Sequence, residues 1–409
     1  MIDKVDLDYH EAKQPQAKSL SYLFWIFLKI GSTAFGGLMA LISVVENAIV
    51  GRSKLLTHED ILDGISLATC LPGPVAANVI AYVGYRIRGG WGALVASTAV
   101  LLPSFILILA LTIVYLQAGE IPAVEKAFAG FIPAVTAIIF CAAINMSKKA
   151  IKGWREVAIA VLAALFLQII GGFYITLLVI IVSGLVGWYC FRHQVAKKLS
   201  AESKVTETPK LSWQKIALPL VILLSLLALS QLPLPLAQDS LAKLFITFSG
   251  MSLMLFGGGY VFIPMIQEIV VNNYQWVTQT EFANAIAMGQ ITPGPILISA
   301  AFIGYVVQGF LGSIVATVGI FFPPALLMVT LSHVLETVKS SVAIQAALKG
   351  IRPAVIGMIF TAAIVVGQTS QIHWVSLLIF AGAMLAILRL RVEVVFIIPI
   401  AGIIGLLLY

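Results

Sequence analysis

The 409-residue chain has few charged residues and few of the side chains that build metal sites or disulfide frameworks. Only 11% of its residues are Asp, Glu, Lys or Arg, and it contains 5 histidines and 3 cysteines. Cys70, Cys141 and Cys190 all fall in apolar segments without paired spacing, which argues against a zinc site or a disulfide framework. The sequence also lacks a His-Glu-x-x-His helix, a serine–histidine pairing or a cluster of acids, so no catalytic residue, metal or cofactor is expected.

Apolar sequence dominates instead. The chain is 60% hydrophobic and its mean hydropathy is +1.03, values typical of a polytopic membrane protein rather than a soluble domain. At about 20 residues per crossing, it has room for about a dozen transmembrane helices. The formal net charge of +7 is typical of a membrane protein whose lysines and arginines lie in cytoplasmic loops. The lipid bilayer is therefore an expected partner, and nucleic acid is not.

Two short patterns occur twice at a fixed distance from each other. Phe35-Gly36-Gly37 recurs as Phe256-Gly257-Gly258, and Pro72-Gly73-Pro74 recurs as Pro293-Gly294-Pro295, both displaced by 221 residues. After a one-residue deletion the displacement is 220, and further matches follow in the same order: Gly84-Tyr85 with Gly304-Tyr305, Pro103 with Pro323, Gly130 with Gly350, and Pro133 with Pro353. The chain is therefore predicted to contain two copies of one helical bundle.

We predict an all-α polytopic membrane protein in which two inverted six-helix repeats are joined by one extra transmembrane helix, with about 13 crossings. The predicted domains are a cytoplasmic tail (1–18), repeat one (19–191), a basic linker with a connecting helix at 216–236 (192–243), and repeat two (244–409). Crossings are predicted near 20–45, 58–85, 91–116, 127–147, 156–171 and 173–191, and near 244–270, 281–306, 310–335, 353–367, 374–388 and 394–408. The hairpins 156–191 and 374–408 are short, and the sequence leaves open whether they fully span the membrane.

The single connecting helix is what predicts inversion. Six crossings return the chain to its starting side, and the seventh makes repeat two begin on the opposite side. With a cytoplasmic N-terminus, twenty lysines and arginines lie inside and only Arg52, Lys54, Lys126 and Lys243 outside, as the positive-inside rule expects. Re-entrant Pro-Gly-Pro segments would move the basic loops of repeat two outside. Charge therefore favours spanning helices that are broken at the prolines.

The two Pro-Gly-Pro sequences predict breaks inside membrane-embedded helices, because proline lacks an amide donor and glycine adds backbone freedom. A half-helix that begins after Pro74 or Pro295 directs unpaired amides and the positive end of its dipole into the protein, which favours an anion. The preceding half-helices end at the same breaks with free carbonyls, which could instead hold Na⁺ or a protonated group. Asp60 and Glu281 are predicted to cap the helices that lead to the breaks.

The predicted substrate-binding residues are the breaks, the polar residues beside them and the glycine clusters expected to face them: Gly36, Gly37, Thr69, Pro72, Gly73, Pro74, Asn78, Gly257, Gly258, Gln290, Thr292, Pro293, Gly294, Pro295 and Ser299. Bonding between helices and close helix packing are the alternative roles. Charges in or beside the crossings are candidate substrate contacts or coupling sites: Lys29, Glu46, Glu268 and Arg352. Snorkelling of Lys29 and interfacial solvation of the other three are the alternatives.

The second half resembles the chromate ion transporter family in its joint pattern of Phe256-Gly257-Gly258-Gly259-Tyr260, Ile263-Pro264, Trp276, Phe282, Gln290, Thr292-Pro293-Gly294-Pro295 and Gly304-Tyr305. The first half carries the pattern more loosely, with Leu55 in place of Trp276 and Thr69 in place of Gln290. The resemblance implies a multi-pass protein of the bacterial or archaeal cytoplasmic (inner) membrane that exports chromate, a tetrahedral dianion resembling sulfate.

The resulting hypothesis is a secondary active transporter that exports chromate by alternating access around a midplane anion site and so confers chromate resistance. A transporter or exchanger of sulfate or another oxyanion, and a passive anion channel, are the alternatives that the sequence leaves open. A homodimer is a candidate assembly.

Overall fold

A computed structural model describes residues 19–34, 37–118, 121–170, 173–202, 213–231, 237, 239–255, 262–332, 341–368, 370 and 373–409. Within these ranges the regular structure is helical, without a strand. The helices are α1 (Leu20–Thr33), α2 (Gly37–Glu46), α3 (His58–Cys70), α4 (Val75–Ala118), α5 (Pro122–Ala150), α6 (Trp154–Ile169), α7 (Phe173–Glu202), α8 (Trp213–Gln231), α9 (Leu241–Leu253), α10 (Phe262–Gln267), α11 (Gln279–Ile291), α12 (Ser299–Leu331), α13 (Val342–Gln368), α14 (Trp374–Leu385) and α15 (Val394–Leu408).

Five stretches in the described part of the chain are long and apolar enough to cross a membrane: Val75–Ala118, Pro122–Lys148, Leu178–Lys197, Ile296–Leu331 and Val342–Gln368. Shorter apolar helices accompany them, among them Leu241–Leu253 and Val394–Leu408. Large apolar side chains point outward from the bundle, and Trp91 is 70% exposed. The all-α membrane class predicted from composition is confirmed.

The first two helices fold back on each other and form hairpin 1A (residues 20–52). The Tyr22 hydroxyl, at the start of α1, lies 3.5 Å from the Ser53 hydroxyl, which follows a π-helical turn over Asn47–Arg52. A continuous helix would separate these residues by about 45 Å. The chain therefore enters and leaves hairpin 1A on the same side.

The Pro72 break lies between the two arms of a second hairpin, 1B (residues 58–87). Arg86 donates to Asp60 at 2.5 Å, and the backbone of Gly64 packs against the ring of Tyr82. Thr57 and Asp60 form a complete capping box at the start of α3, which confirms the predicted cap. At Gly89, whose φ is +61°, the chain turns sharply into the long spanning part of α4.

Repeat two is built in the same way. In hairpin 2A (residues 241–273), the Lys243 ammonium lies 4.9 Å from the centre of the Tyr274 ring, so that both ends of the hairpin lie together. In hairpin 2B (residues 279–307), α11 packs on the first turns of α12 across the Pro293 break. The capping box of Thr278 and Glu281 starts α11, and α12 turns at Gly309 as α4 does at Gly89.

These hairpins bear on the predicted crossings. The ends of segments 20–45 and 58–85 lie together, as do those of 244–270, so the structure does not confirm the prediction of six crossings per repeat. Hydropathy does not distinguish a spanning helix from two apolar half-helices that fold back, because both bury the same side chains. The contact between Asp60 and Arg86 makes that distinction.

The later helices of each repeat pack on those of the other repeat. Gly350 of α13 meets the backbone of Ser183 and Gly187 in α7, and Gly130 of α5 meets the backbone of Ala401 and Gly405 in α15. Gly130 and Gly350 are equivalent positions, and at both of them the absence of a side chain allows the two helix backbones to approach each other. The two repeats therefore interlock and share one core.

Candidate functional site

The breaks of the two repeats are joined by a reciprocal pair of backbone hydrogen bonds. The amide of Gly73 donates to the carbonyl of Leu255 at 2.7 Å, and the amide of Gly294 donates to the carbonyl of Ala34 at 3.0 Å. Both glycines have a φ of +104°, a conformation that side chains disfavour. Because Ala34 and Leu255 are themselves equivalent positions, the two bonds are one contact made twice. Each B hairpin thus meets the A hairpin of the other repeat.

The carbonyl of the first proline in each break receives a hydrogen bond, but from different places. In repeat one the side-chain amide of Asn78 donates to Pro72 at 3.0 Å, within hairpin 1B. In repeat two the hydroxyl of Ser104, on the spanning part of α4, donates to Pro293. Pro324 is the equivalent of Ser104, and it packs against Gly73 without a donor to offer. One break is held locally and the other by the opposite repeat.

The helices that follow the breaks begin differently. In repeat one α4 starts at Val75, and the backbone N–H of Asn78 donates to the carbonyl of Pro74 at 2.9 Å. In repeat two a single 3₁₀ turn, Ile296–Ile298, precedes α12. The amides of the first turn have no acceptor inside their own helix. Both breaks therefore direct backbone N–H groups away from the helix that follows.

Several polar side chains beside the breaks are buried without a hydrogen-bond partner in the described part of the chain. They include the hydroxyl of Ser299, the Oδ1 of Asn78 and the Nε2 of Gln290. Asn78 and Ser299 are fully buried and equivalent. An orphaned polar atom in such a place is costly unless water or a ligand satisfies it. By contrast, Thr69 and Thr292 donate to carbonyls of their own helices, at Ser66 and Gly289.

The charged candidates lie away from the breaks. Glu46 pairs with His58 at 2.5 Å where α2 meets α3. The equivalent pair in repeat two is neutral, with Gln267 donating to Gln279 at 3.0 Å, so the partner of Glu46 across the repeats is Gln267 rather than Glu268. Glu268 itself accepts from Asn272 at 2.6 Å. Arg352 is exposed at the side of α13.

Of the predicted glycine clusters, Gly36, Gly257 and Gly258 lie outside the described residues, and Gly37 begins α2. The partners of the breaks, Ala34 and Leu255, adjoin these clusters in sequence. The predicted juxtaposition of glycine cluster and Pro-Gly-Pro stays a prediction, and the described neighbours Ala34 and Leu255 bond to the break of the opposite repeat.

The two sides of the site differ in exposure. On α1, Lys29, Ser32 and Thr33 are exposed. Their equivalents on α9, Gly250, Leu253 and Met254, are buried, and so is every residue of α11 from 282 to 289. The repeat-one hairpins are therefore open to their surroundings where the repeat-two hairpins are covered.

Sequence reasoning missed four residues of the site: Ala34, Leu255, Ser104 and Pro324. Ser104 and Pro324 directly follow Pro103 and Pro323, which the repeat comparison had matched. The available signal was that Ser104 and Pro324 differ although they follow a matched pair of prolines. Which carbonyl Ser104 contacts depends on how the repeats pack together, and the sequence does not show that.

Two interlocked helical repeats, each with a Pro-Gly-Pro break that contacts the other repeat, define a helical membrane protein with two paired breaks. The chromate transporter family model matches the chain twice, over residues 21–188 and 242–406. The chain belongs to the chromate transporter family.

Curated relatives cover most of the chain. An uncharacterised transporter of Methanocaldococcus jannaschii is 31% identical over 337 residues, covering 82% of each chain. A chromate transport protein of Cupriavidus metallidurans is 29% identical, covering 86% of this chain and 84% of its own. Such relatives support a role in the transport of chromate or another anion.

A shorter relative matches about one repeat. An uncharacterised transporter of Bacillus subtilis is 31% identical over 166 residues, which is 40% of this chain and 93% of its own. A repeat-sized relative therefore exists as a separate chain. No solved structure matches this protein.

Proposed function

We propose that the protein is a secondary active transporter that exports chromate across the cytoplasmic membrane by alternating access around the two breaks. The observation that carries this proposal is the reciprocal bonding of Gly73 to Leu255 and of Gly294 to Ala34. It brings the two breaks, with the half-helix starts that follow them, into one interlocked unit, where a tetrahedral dianion could accept from amides of both repeats.

The occupied carbonyls favour an anion over a cation at this site. Helix ends that stop at a break would repel an anion through their free carbonyls. Four carbonyls around the breaks, those of Ala34, Leu255, Pro72 and Pro293, already accept hydrogen bonds from the protein. The first-turn amides and the hydroxyl of Ser299 remain as donors. This balance supports an oxyanion as the substrate.

An inverted arrangement of the repeats is supported by charge. If both hairpins of each repeat are re-entrant, neither adds a crossing, so each repeat still begins and ends on one side. Helix α8 then makes repeat two begin opposite repeat one. With the N-terminus in the cytoplasm, every lysine and arginine except Lys29, Lys126 and Lys243 lies on the cytoplasmic side, in better agreement with the positive-inside rule than the spanning arrangement.

The exposed strip on α1 supports a conformation open to the cytoplasm. Polar groups at membrane depth are tolerated where they line water. Lys29, Ser32 and Thr33 lead along α1 towards Ala34, which bonds to the Gly294 break. We therefore assign them to a cytoplasmic vestibule, in which Lys29 attracts the anion.

Replacing Lys29 should weaken substrate capture from the cytoplasm. We expect Lys29→Gln to raise the KM for chromate about two- to fivefold, because an exposed charge contributes at most about 1 kcal/mol, and to leave the maximal rate unchanged. Lys29→Arg should keep the wild-type KM. Initial rates in inside-out vesicles at two ionic strengths measure both quantities. An unchanged KM in Lys29→Gln would contradict the vestibule assignment.

The breaks themselves are tested by chromate accumulation. Cells that express Pro293→Ala at wild-type level should accumulate chromate as transporter-free cells do, because alanine lets α11 continue past residue 292 and so displaces the break. Pro399→Ala, at an exposed position of α15, is the matched control and should export normally. Wild-type export by Pro293→Ala would contradict the proposed site.

The choice of substrate and mechanism needs a separate assay. Saturable, gradient-dependent chromate flux in vesicles is expected, with sulfate as a weak competitor. Strong competition by sulfate would make the protein a general oxyanion transporter or exchanger, and conductance at channel rates would make it a passive anion channel.

A further inference from the structure

We propose that Ser104 is a positioning residue that holds the repeat-two break shut against repeat one, and that Asn78 does the equivalent work for the repeat-one break from within its own hairpin. Both side chains donate to the same carbonyl of the repeated Pro-Gly-Pro, at Pro293 and at Pro72. In repeat one the donor belongs to the same hairpin as the carbonyl, whereas in repeat two it belongs to the opposite repeat.

The substitutions at the equivalent positions explain this exchange. Asn78 corresponds to Ser299, whose shorter side chain leaves its hydroxyl without a partner in the described part of the structure. Ser104 corresponds to Pro324, which has no donor and packs on Gly73. Each break therefore has one donor: an asparagine of its own in repeat one, and a serine from across the interface in repeat two.

The consequence is an unequal attachment of the two breaks. The Pro293 break is bonded to repeat one twice, through Gly294 to Ala34 and through Ser104. The Pro72 break is bonded to repeat two through Gly73 to Leu255, and beside it the side-chain amide of Gln345 donates at 3.3 Å to the sulfur of Cys70, a weak acceptor. The Pro293 break lies on the covered side of the site, next to the buried α11. Opening that side requires the Ser104 hydrogen bond to break, whereas the carbonyl of Pro72 is bonded to Asn78 within its own hairpin and can keep that bond when the other side opens.

Ser104 thereby biases the protein towards the conformation with repeat two closed. The effect of this bias on transport rests on the proposed alternating-access function. The attachment itself is a property of the folded protein and can be measured without substrate. One hydrogen bond of ordinary strength changes an opening equilibrium about two- to tenfold.

Amide hydrogen exchange on the purified full-length protein in lipid nanodiscs tests the assignment, since exchange of a protected amide follows its opening equilibrium. Peptides over residues 286–298 and 65–77 report the two breaks within one sample. Ser104→Ala should raise exchange in the repeat-two peptide about two- to tenfold and leave the repeat-one peptide unchanged. Ser104→Thr, which keeps the hydroxyl, should match the wild type in both.

Transplanting the donor gives the decisive arm. Ser104→Ala combined with Ser299→Asn should restore protection of the repeat-two peptide, because the new amide can reach Pro293 as Asn78 reaches Pro72. Gly289 stands beside Ser299, and the residue at its equivalent position in repeat one is the larger Ala68. In repeat one, Asn78→Ser alone should raise exchange in the repeat-one peptide. Adding Pro324→Ser should restore its protection.

Equal changes in both peptides after Ser104→Ala, or no change, would overturn the assignment, as would failure of Ser299→Asn to restore protection in a folded double variant. Transport distinguishes this inference from the proposed function. Selective exchange changes in a protein that moves no chromate would uphold the role of Ser104 and reject the function. Normal chromate export with unaltered exchange in Ser104→Ala would do the opposite.

Discussion

Gly73→Ala is expected to abolish chromate export and to lower the yield of folded protein more than Gly294→Ala does. The φ of Gly73 is +104°, and a Cβ there would lie 2.2 Å from the Cβ of Pro324. The backbone strain costs about 1–3 kcal/mol, and overpacking against a rigid proline ring costs about 1–3 kcal/mol more. Thermal unfolding in detergent and chromate accumulation in cells measure the two effects.

Two other glycines separate these contributions. Gly89 also has a positive φ, but no atom lies within 4 Å of its added Cβ, so Gly89→Ala should show the strain alone. Gly294 has the same φ as Gly73, yet its added Cβ would meet the hydroxyl of Ser104 at 2.9 Å, and a serine can rotate away. The expected order of stability loss is Gly73→Ala, then Gly294→Ala, then Gly89→Ala.

A compensating change checks the physical reason. Pro324→Gly should recover the overpacking part of the loss in Gly73→Ala and leave the strain part. Equal losses in Gly73→Ala and Gly89→Ala, or no recovery with Pro324→Gly, would contradict the role assigned to the contact between Gly73 and Pro324.

Much of this site was predictable because it is duplicated. The fixed displacement between the glycine clusters and the Pro-Gly-Pro sequences predicts that the two face each other, and the residues next to the clusters, Ala34 and Leu255, bond to the breaks. Thr57-Asp60 and Thr278-Glu281 correctly marked the helix starts. What repetition could not give was the partner. A matched spacing is equally compatible with contact inside one repeat and with contact between repeats, and the bond from Gly73 to Leu255 decides for the second.

The predicted number of crossings is not confirmed, for a different reason. Residues 20–52 and 58–87 are each long and apolar enough to span, and charge could not expose the error because two errors of the same kind cancel. One re-entrant hairpin in repeat one would move the basic loops that follow it to the other side of the membrane, and a second re-entrant hairpin in the same repeat restores them. The Pro-Gly-Pro segment of repeat one accounts for a single such hairpin, and the contact between Tyr22 and Ser53 supplies the second.

The side chains at the breaks differ between the two repeats. Asn78 was predicted as a donor to the substrate because it lies on the helix after the break, but its amide is bonded to Pro72. Equivalent residues share a position without sharing a partner, as Asn78 and Ser299 demonstrate. Because Pro324 occupies the place of Ser104, each break has a donor from a different part of the fold.

The topology that follows from four re-entrant hairpins gives an all-or-none expectation. In a variant whose three native cysteines are replaced, Ser19→Cys and Arg52→Cys mark the two ends of hairpin 1A, and Asp239→Cys and Asn273→Cys mark those of hairpin 2A. All four positions are exposed. A membrane-impermeant thiol reagent should label the repeat-two pair in intact cells and the repeat-one pair only after permeabilisation, because each hairpin returns to its own side and α8 places the repeats opposite each other. A spanning first helix would split each pair, and parallel repeats would put all four on one side, so either result would reject the inverted, re-entrant arrangement on which the shared anion site depends.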